Sequence, residues 1–201
     1  MNDAHRGAPP PAEARGVLEF WFGRETDPDY GARRDIWFRA DAAFDRAVCD
    51  RCQALHAVAA QDRLDGWAAT AHGSLALLIL LDQVPRNIFR GTPRAYATDP
   101  QARARAHAAI AAGFDRVLPP VHRWFVYLPF EHSEALDDQH RSVALFESLP
   151  PHPELEAALR SVHRHREIIA RFGRFPHRNA ILGRASTPEE IAFLQEPNSS
   201  F

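Results

Sequence analysis

Three observations predict an all-α fold. Helix starts and stops recur along the chain as capping residues, first-position prolines and terminal glycines. The segment "SLALLILLDQ" (Ser74 to Gln83) is apolar almost all round, so it belongs inside a core rather than on its surface. No stretch sustains a two-residue alternation, and no Asn-Gly pair marks a hairpin. Together they predict one domain of roughly eight to ten short antiparallel helices and no sheet. No repeat of about 34 residues is evident.

The elements follow in order. "MNDAHRGAPPPAEARG" lacks the apolar stretch of a signal peptide and reads as a disordered Pro/Ala tail, residues 1–14, ahead of a domain at 15–201. "VLEFWF" (Val17 to Phe22) is a short helical run stopped by Gly23, and "DIWF" (Asp35 to Phe38) follows it. Trp21, Phe22, Trp37 and Phe38 are expected in the core. Asp41 caps a helix running to about Ala60. Pro85, after the apolar segment, has no amide for a continuing helix, so a kink or restart is expected there. Thr98 or Asp99 caps the next helix, with Pro100 in first position and Gly113 at its end.

Pro119 and Pro120 open "VHRWFVYL", which should end abruptly at "PFEHS". Ser133 is expected to cap a helix to about Leu149 whose apolar stripe holds Val143, Leu145 and Phe146. After the stiff "PPHP", a helix from about Pro153 to Phe172 stops at Gly173. A short helical turn fits Pro176 to Gly183. Thr187 to Glu190, "TPEE", has the pattern of a capping box.

Size and composition narrow the function. At 201 residues the chain is long enough to bury a core without disulfides. A net charge of −2 provides no general field for nucleic acid. The nearest thing to a basic stripe, "RSVHRHREIIAR" (Arg160 to Arg171), carries Glu167 within it. No segment has the apolar length of a membrane span, and the cytoplasm is the expected compartment. All 24 basic residues are arginine, so any polar site will use guanidinium and no Schiff-base lysine exists. Cys49, Cys52 and His56 share a helical pattern with Phe44, Val48 and Leu55. They read as helix residues rather than a redox or metal motif, and no cofactor is expected.

Three polar clusters sit at helix ends. In "LDQVPRNIFRG" Asp82 and Arg86 are four apart, as are Gln83 and Asn87, so each pair shares a helix face. "YLPFEHSEALDDQ" brings Glu131, His132, Glu134 and Asp138 within two turns. "ARFGRFPHRN" places Arg174, His177, Arg178 and Asn179 around Pro176, where free amides at a helix start and two arginines suit an anion.

These clusters carry a resemblance. "LLDQVPRNIFRGTPRAYATD", "YLPFEHSEALDDQ" and "FGRFPHRNAILGRASTPEEIAFL" resemble the signatures of DUF924, a bacterial family of unknown function, over nearly the whole chain from Glu19 to Leu194. The resemblance implies an all-α, tetratricopeptide-like superhelical fold. The family has no established activity, so it lends this chain no catalytic residue. Val84 stands where its pattern has phenylalanine, and Glu131 where it has methionine. Cys49 and Cys52 fall outside its motifs.

Three functional readings follow. In the first, the motifs line a pocket for a small anionic or polyhydroxylated molecule. Asp82, Gln83, Arg86, Asn87, Arg174, His177, Arg178 and Asn179 would contact the ligand, with Arg86 and Arg178 holding its anion. In the second, a hydrolase-type enzyme uses His132 as proton carrier, oriented by Glu134 or Asp138. In the third, the chain binds a peptide or protein partner, as tetratricopeptide-like folds do, and the motifs form a structural clasp that satisfies helix ends. Neither nucleic acid nor membrane is an expected partner, and no metal is expected because no H-E-x-x-H spacing occurs.

Overall fold

A computed structural model of the chain describes residues 9–200. Among these it has no strand and nine α-helices: α1 (Ala12–Phe22), α2 (Ala42–Ala59), α3 (Ala71–Leu78), α4 (Val84–Ile88), α5 (Asp99–Ala111), α6 (Pro120–Glu131), α7 (Leu136–Glu147), α8 (Leu155–Phe172) and α9 (Pro188–Phe193). Residues 1–8 of the expected tail lie outside the described residues, and residues 12–14 form the first turn of α1. No helix among the described residues is long and apolar enough to cross a membrane.

The chain divides into two compact units. The amino-terminal unit runs to Arg90 and resumes from Arg94 to Pro129; the carboxy-terminal unit takes Gly91–Pro93 and everything from Phe130.

In the amino-terminal unit, aromatic rings fill the core. Trp21 stacks on Trp37 and meets Phe125 edge-on, and Phe22 packs edge-on against both Trp37 and Phe125. Phe38 is the exception among the four rings expected inside: it is 46% exposed. It covers Phe125 at the core's edge, and the Arg33 guanidinium lies near its ring, so its surroundings are half apolar and half solvent. Asp41 caps α2 as expected, accepting from the amides of Ala43 and Phe44.

The apolar segment behaves as its composition dictates. α3 begins at Thr70, whose hydroxyl accepts from the Gly73 amide, and every residue from Gly73 to Pro85 is buried. Gly73 has no substitute, because a Cβ there would collide with the Trp67 carbonyl oxygen. The break expected at Pro85 takes the form of a π-turn, Ile79–Gln83, in which the Val84 amide reaches back five residues to Ile79. Pro85 offers no N–H to the carbonyls one turn behind it. Side chains take that role: the His56 Nδ1–H donates to Leu80 O at 2.8 Å, and the Thr98 hydroxyl to Leu81 O at 2.6 Å. Thr98 thus stands at the N-cap of α5 but spends its hydroxyl on α3's continuation rather than on its own helix. Thr98→Val should therefore cost about 1–3 kcal/mol, the penalty for stranding a buried carbonyl. Urea unfolding of the variant measures it, and an unchanged midpoint would remove the bond's importance.

One expectation at α7 needs correction. α6 ends at Glu131, within "PFEHS", with Pro129 inside the helix. Its end is stabilised from outside: the Gln139 amide group donates to the carbonyls of Phe130, Glu131 and Ser133. Ser133 is not the N-cap of α7, which is Ala135. Its hydroxyl instead accepts from the Ala135 amide and donates to Asp138 at 2.7 Å, so it braces the turn ahead of the helix.

α8 ends at Gly173 in the left-handed region, as predicted. The expected helical turn from Pro176 is a 3₁₀ turn, Pro176–Arg178. Thr187 and Glu190 form a complete capping box at the start of α9. Ile168, Ile169, Phe175 and Phe193 make the carboxy-terminal unit's apolar cluster, with Phe172 and Leu194 against it.

Candidate functional site

The first polar cluster lies in the amino-terminal unit, where the π-turn runs into α4. Asp82 and Gln83 are buried there, and the Gln83 amide donates to the Asp82 carboxylate at 2.6 Å. Arg86 makes a bidentate pair with Asp99 at 2.8 and 3.0 Å, donates to the Asp82 carbonyl at 2.7 Å, and sits 3.4 Å from the Asp82 carboxylate. Burial opposes its charge, but Asp82 and Asp99 outweigh burial and raise its proton affinity further. Asn87 donates to Asp45, a carboxylate also held by Arg90. Sequence spacing shows Asp82 with Arg86, whereas Asp99 and Asp45 lie 13 residues from Arg86 and 42 from Asn87, beyond the reach of helical spacing.

The second and third clusters lie in the carboxy-terminal unit, which brings them together. The Glu134 carboxylate accepts from the Phe175 amide at 2.8 Å and from Arg184 in a bidentate pair at 2.7 and 2.9 Å. Burial works against its charge, yet Arg184 and the Phe175 amide hold the Glu134 carboxyl below its ordinary range. Arg178 donates to the His132 carbonyl at 3.0 Å and covers the Phe175 ring. Arg174 pairs bidentately with buried Glu190 at 2.6 and 2.8 Å. Asn179 donates to Ser186 and Glu190 and accepts from Arg184. Arg174, the Thr187 amide and Asn179 together hold the Glu190 carboxyl at about 2, against the opposing effect of burial. Asp138 accepts from Ser133.

A histidine cluster surrounds Phe175. The His165 ring lies 5.5 Å from Phe175 and 6.5 Å from His132, and His177 lies 5.6 Å from Phe175. His165 is buried, with Nδ1 2.9 Å from Ser161 O and 3.0 Å from the buried Glu131 carboxylate, which also accepts from the Ser161 hydroxyl at 2.8 Å. Burial pushes the His165 imidazole down to about 3, and the neighbouring His132, Arg178 and His177 push the same way. A neutral imidazole donating from Nδ1 fits this geometry.

Sequence reasoning missed Arg184, Glu190 as an ion-pair partner, and the Glu131–Ser161–His165 group. His165 was legible in principle: it follows Val162 by three and precedes Ile168 and Ile169 by three and four, which is the buried stripe of α8. Arg184 follows Gly183, whose left-handed backbone turns the chain back onto Asn179. In α2, Cys52 is buried and its thiol is pushed up to about 11 by burial, while Cys49 lies 3.0 Å from Gln53.

The family model of DUF924, a bacterial protein of unknown function, matches residues 17–198. The chain belongs to the DUF924 family. The fold agrees with a solved DUF924-like chain, the protein of unknown function ATU0120 from Agrobacterium tumefaciens. It is 45% identical over 90% of this chain and 96% of that one, with a TM-score of 0.81. No curated protein matches the chain. DUF924 membership thus names a lineage without naming a reaction, and the chemistry has to be read from the side chains.

Proposed function

We propose that the protein binds a small anion, such as phosphate or a carboxylate, in the carboxy-terminal unit through His132, His177 and Arg178. The observation that supports this reading is geometric: Arg178 and His177 lie against the buried Phe175 ring, and His132 lies 6.5 Å from His165 beside the same ring. Arg178 brings the planar donor fork that carboxylate and phosphate match, and the neighbouring imidazoles can donate to the same anion. The neutral imidazole of His165, backed by Glu131 and Ser161, would fix the shape of the site and does not supply its charge.

A specific observation favours a second role for the remaining motif residues. Arg86 with Asp99, Arg174 with Glu190, and Glu134 with Arg184 are bidentate pairs within their own units. In this reading Asp82, Gln83, Arg86, Asn87, Glu134, Asp138, Arg174 and Asn179 are clasps that hold helix ends, and not ligand contacts or catalytic groups.

The test is a thermal-shift titration with millimolar phosphate and citrate, read together with the imidazole NMR signals. Wild type should rise in melting temperature, and the His132 and His177 signals should move. His177→Gln should lose most of that rise. An equal rise in both proteins, or none in either, overturns the anion site.

A further inference from the structure

The amino-terminal unit holds a cavity of about 460 Å³ that none of the signature motifs lines. This is within the size range of small-molecule sites. One face of α1 forms a wall, with Arg15, Leu18 and Glu19 at helical spacing. The loop after α1 adds Arg24, Glu25 and Tyr30. Phe22 and His122 also line the cavity, stacked with centroids 3.8 Å apart, but at 3% and 2% exposed they present almost no surface. A ligand therefore meets the mouth, where the two arginines and two glutamates are exposed and Leu18 and Tyr30 are half-buried.

The charges at the mouth are the unusual feature. None of the four side chains pairs with another described residue. Arg15 and Glu19 stand one helical turn apart, where opposite charges ordinarily meet. Glu156 and Arg160 do meet at that spacing in α8, at 2.8 Å. Burial raises the Tyr30 phenol above its ordinary range, and the nearby Glu25 carboxylate adds to the rise, so Glu25 stands close to the phenol that lines the cavity. An anion alone would meet two glutamates here, and a cation alone would meet two arginines. A molecule that carries both charges matches the whole set.

We propose that this cavity binds a free α-amino acid with a large apolar side chain. In such a molecule the carboxylate, the ammonium and the side chain leave the same carbon, so both charges stay at the mouth while the apolar part enters. The carboxylate takes the guanidinium groups of Arg15 and Arg24. The ammonium takes the carboxylates of Glu19 and Glu25. The side chain covers Leu18 and the Tyr30 ring. This site shares no residue with the anion site and does not depend on it.

L-phenylalanine and L-leucine are the probes, titrated into the full-length protein while the Tyr30 ring signals are followed by NMR. At least one of them should move those signals. For that amino acid, the methyl ester lacks the carboxylate and the N-acetyl derivative lacks the ammonium, and each should bind about tenfold or more weaker. Glycine keeps both charges without a side chain and should also bind more weakly. The double variants Arg15→Gln with Arg24→Gln, and Glu19→Gln with Glu25→Gln, change only exposed side chains and should fold. Each should bind the amino acid about tenfold or more weaker. The proposal is overturned if neither probe moves the Tyr30 signals, if the ester or the N-acetyl derivative binds as well as the amino acid, or if either double variant binds undiminished.

Discussion

Arg86→Met should destabilise the protein by about 3–5 kcal/mol, the cost of removing one partner from a buried ion pair. The geometry explains why the loss is large. Asp82 is 1% exposed, so its carboxylate cannot turn to water when the guanidinium goes. Asp99 would lose both bonds of its bidentate pair, and the Asp82 carbonyl would lose its 2.7 Å donor within the π-turn. The Gln83 amide would remain on Asp82, a neutral partner in place of a charged one. Methionine fills most of the arginine stem's volume, which confines the loss to charge and hydrogen bonding. Pairing the variant with Asp82→Asn should recover part of the stability, because the more deeply buried of the two carboxylates then carries no charge, while Asp99 keeps some access to water. Urea unfolding of the two single variants and the double variant gives the coupling directly. A loss below about 1 kcal/mol for Arg86→Met would mark the arginine as one held for a ligand instead, because residues kept for function are often neutral to stability when removed.

How much of this was legible in the sequence depends on the range of the interaction. Local signals were reliable. Asp41 and Thr187 cap the helices they precede, Gly23, Gly113 and Gly173 take the left-handed backbone at or next to helix ends, and Pro85 marks a real break. Each of these is decided by atoms within four or five residues. The end of α6 within "PFEHS" is also where the sequence puts it, but its support is not local: Gln139, nine residues beyond Phe130 and eight beyond Glu131, donates to both carbonyls. The same holds at the candidate site. The spacing of Asp82 and Arg86 is visible, but Asp99 lies 13 residues beyond Arg86, and Arg184 lies 50 beyond Glu134. Nothing in the linear order says that Ser161, His165 and Glu131 meet, although the helical stripe of α8 put His165 on its inner face. His122 was hidden differently. It sits in an aromatic run whose every member fits a core, and it is itself 2% exposed and stacked on Phe22.

Phe175→Ala should cost about 3–5 kcal/mol, the range for truncating a buried phenylalanine to alanine. Phe175 is fully buried and joins two kinds of structure. Its ring belongs to the apolar cluster of Ile168, Ile169 and Phe193 and also lies under the Arg178 guanidinium and beside His165 and His177. Its backbone amide donates to Glu134 and its carbonyl accepts from Arg184. Alanine leaves those backbone bonds possible, so the loss measures the ring alone. Phe175→Leu separates the ring's two roles. Leucine keeps most of the apolar burial but has no aromatic face for Arg178 or the histidines. It should therefore cost clearly less than alanine in urea unfolding, and yet reduce the phosphate-induced rise in melting temperature. Full retention of that rise in a stably folded Phe175→Leu protein would mean the ring only fills space. The proposed anion site would then owe nothing to the aromatic platform beneath Arg178.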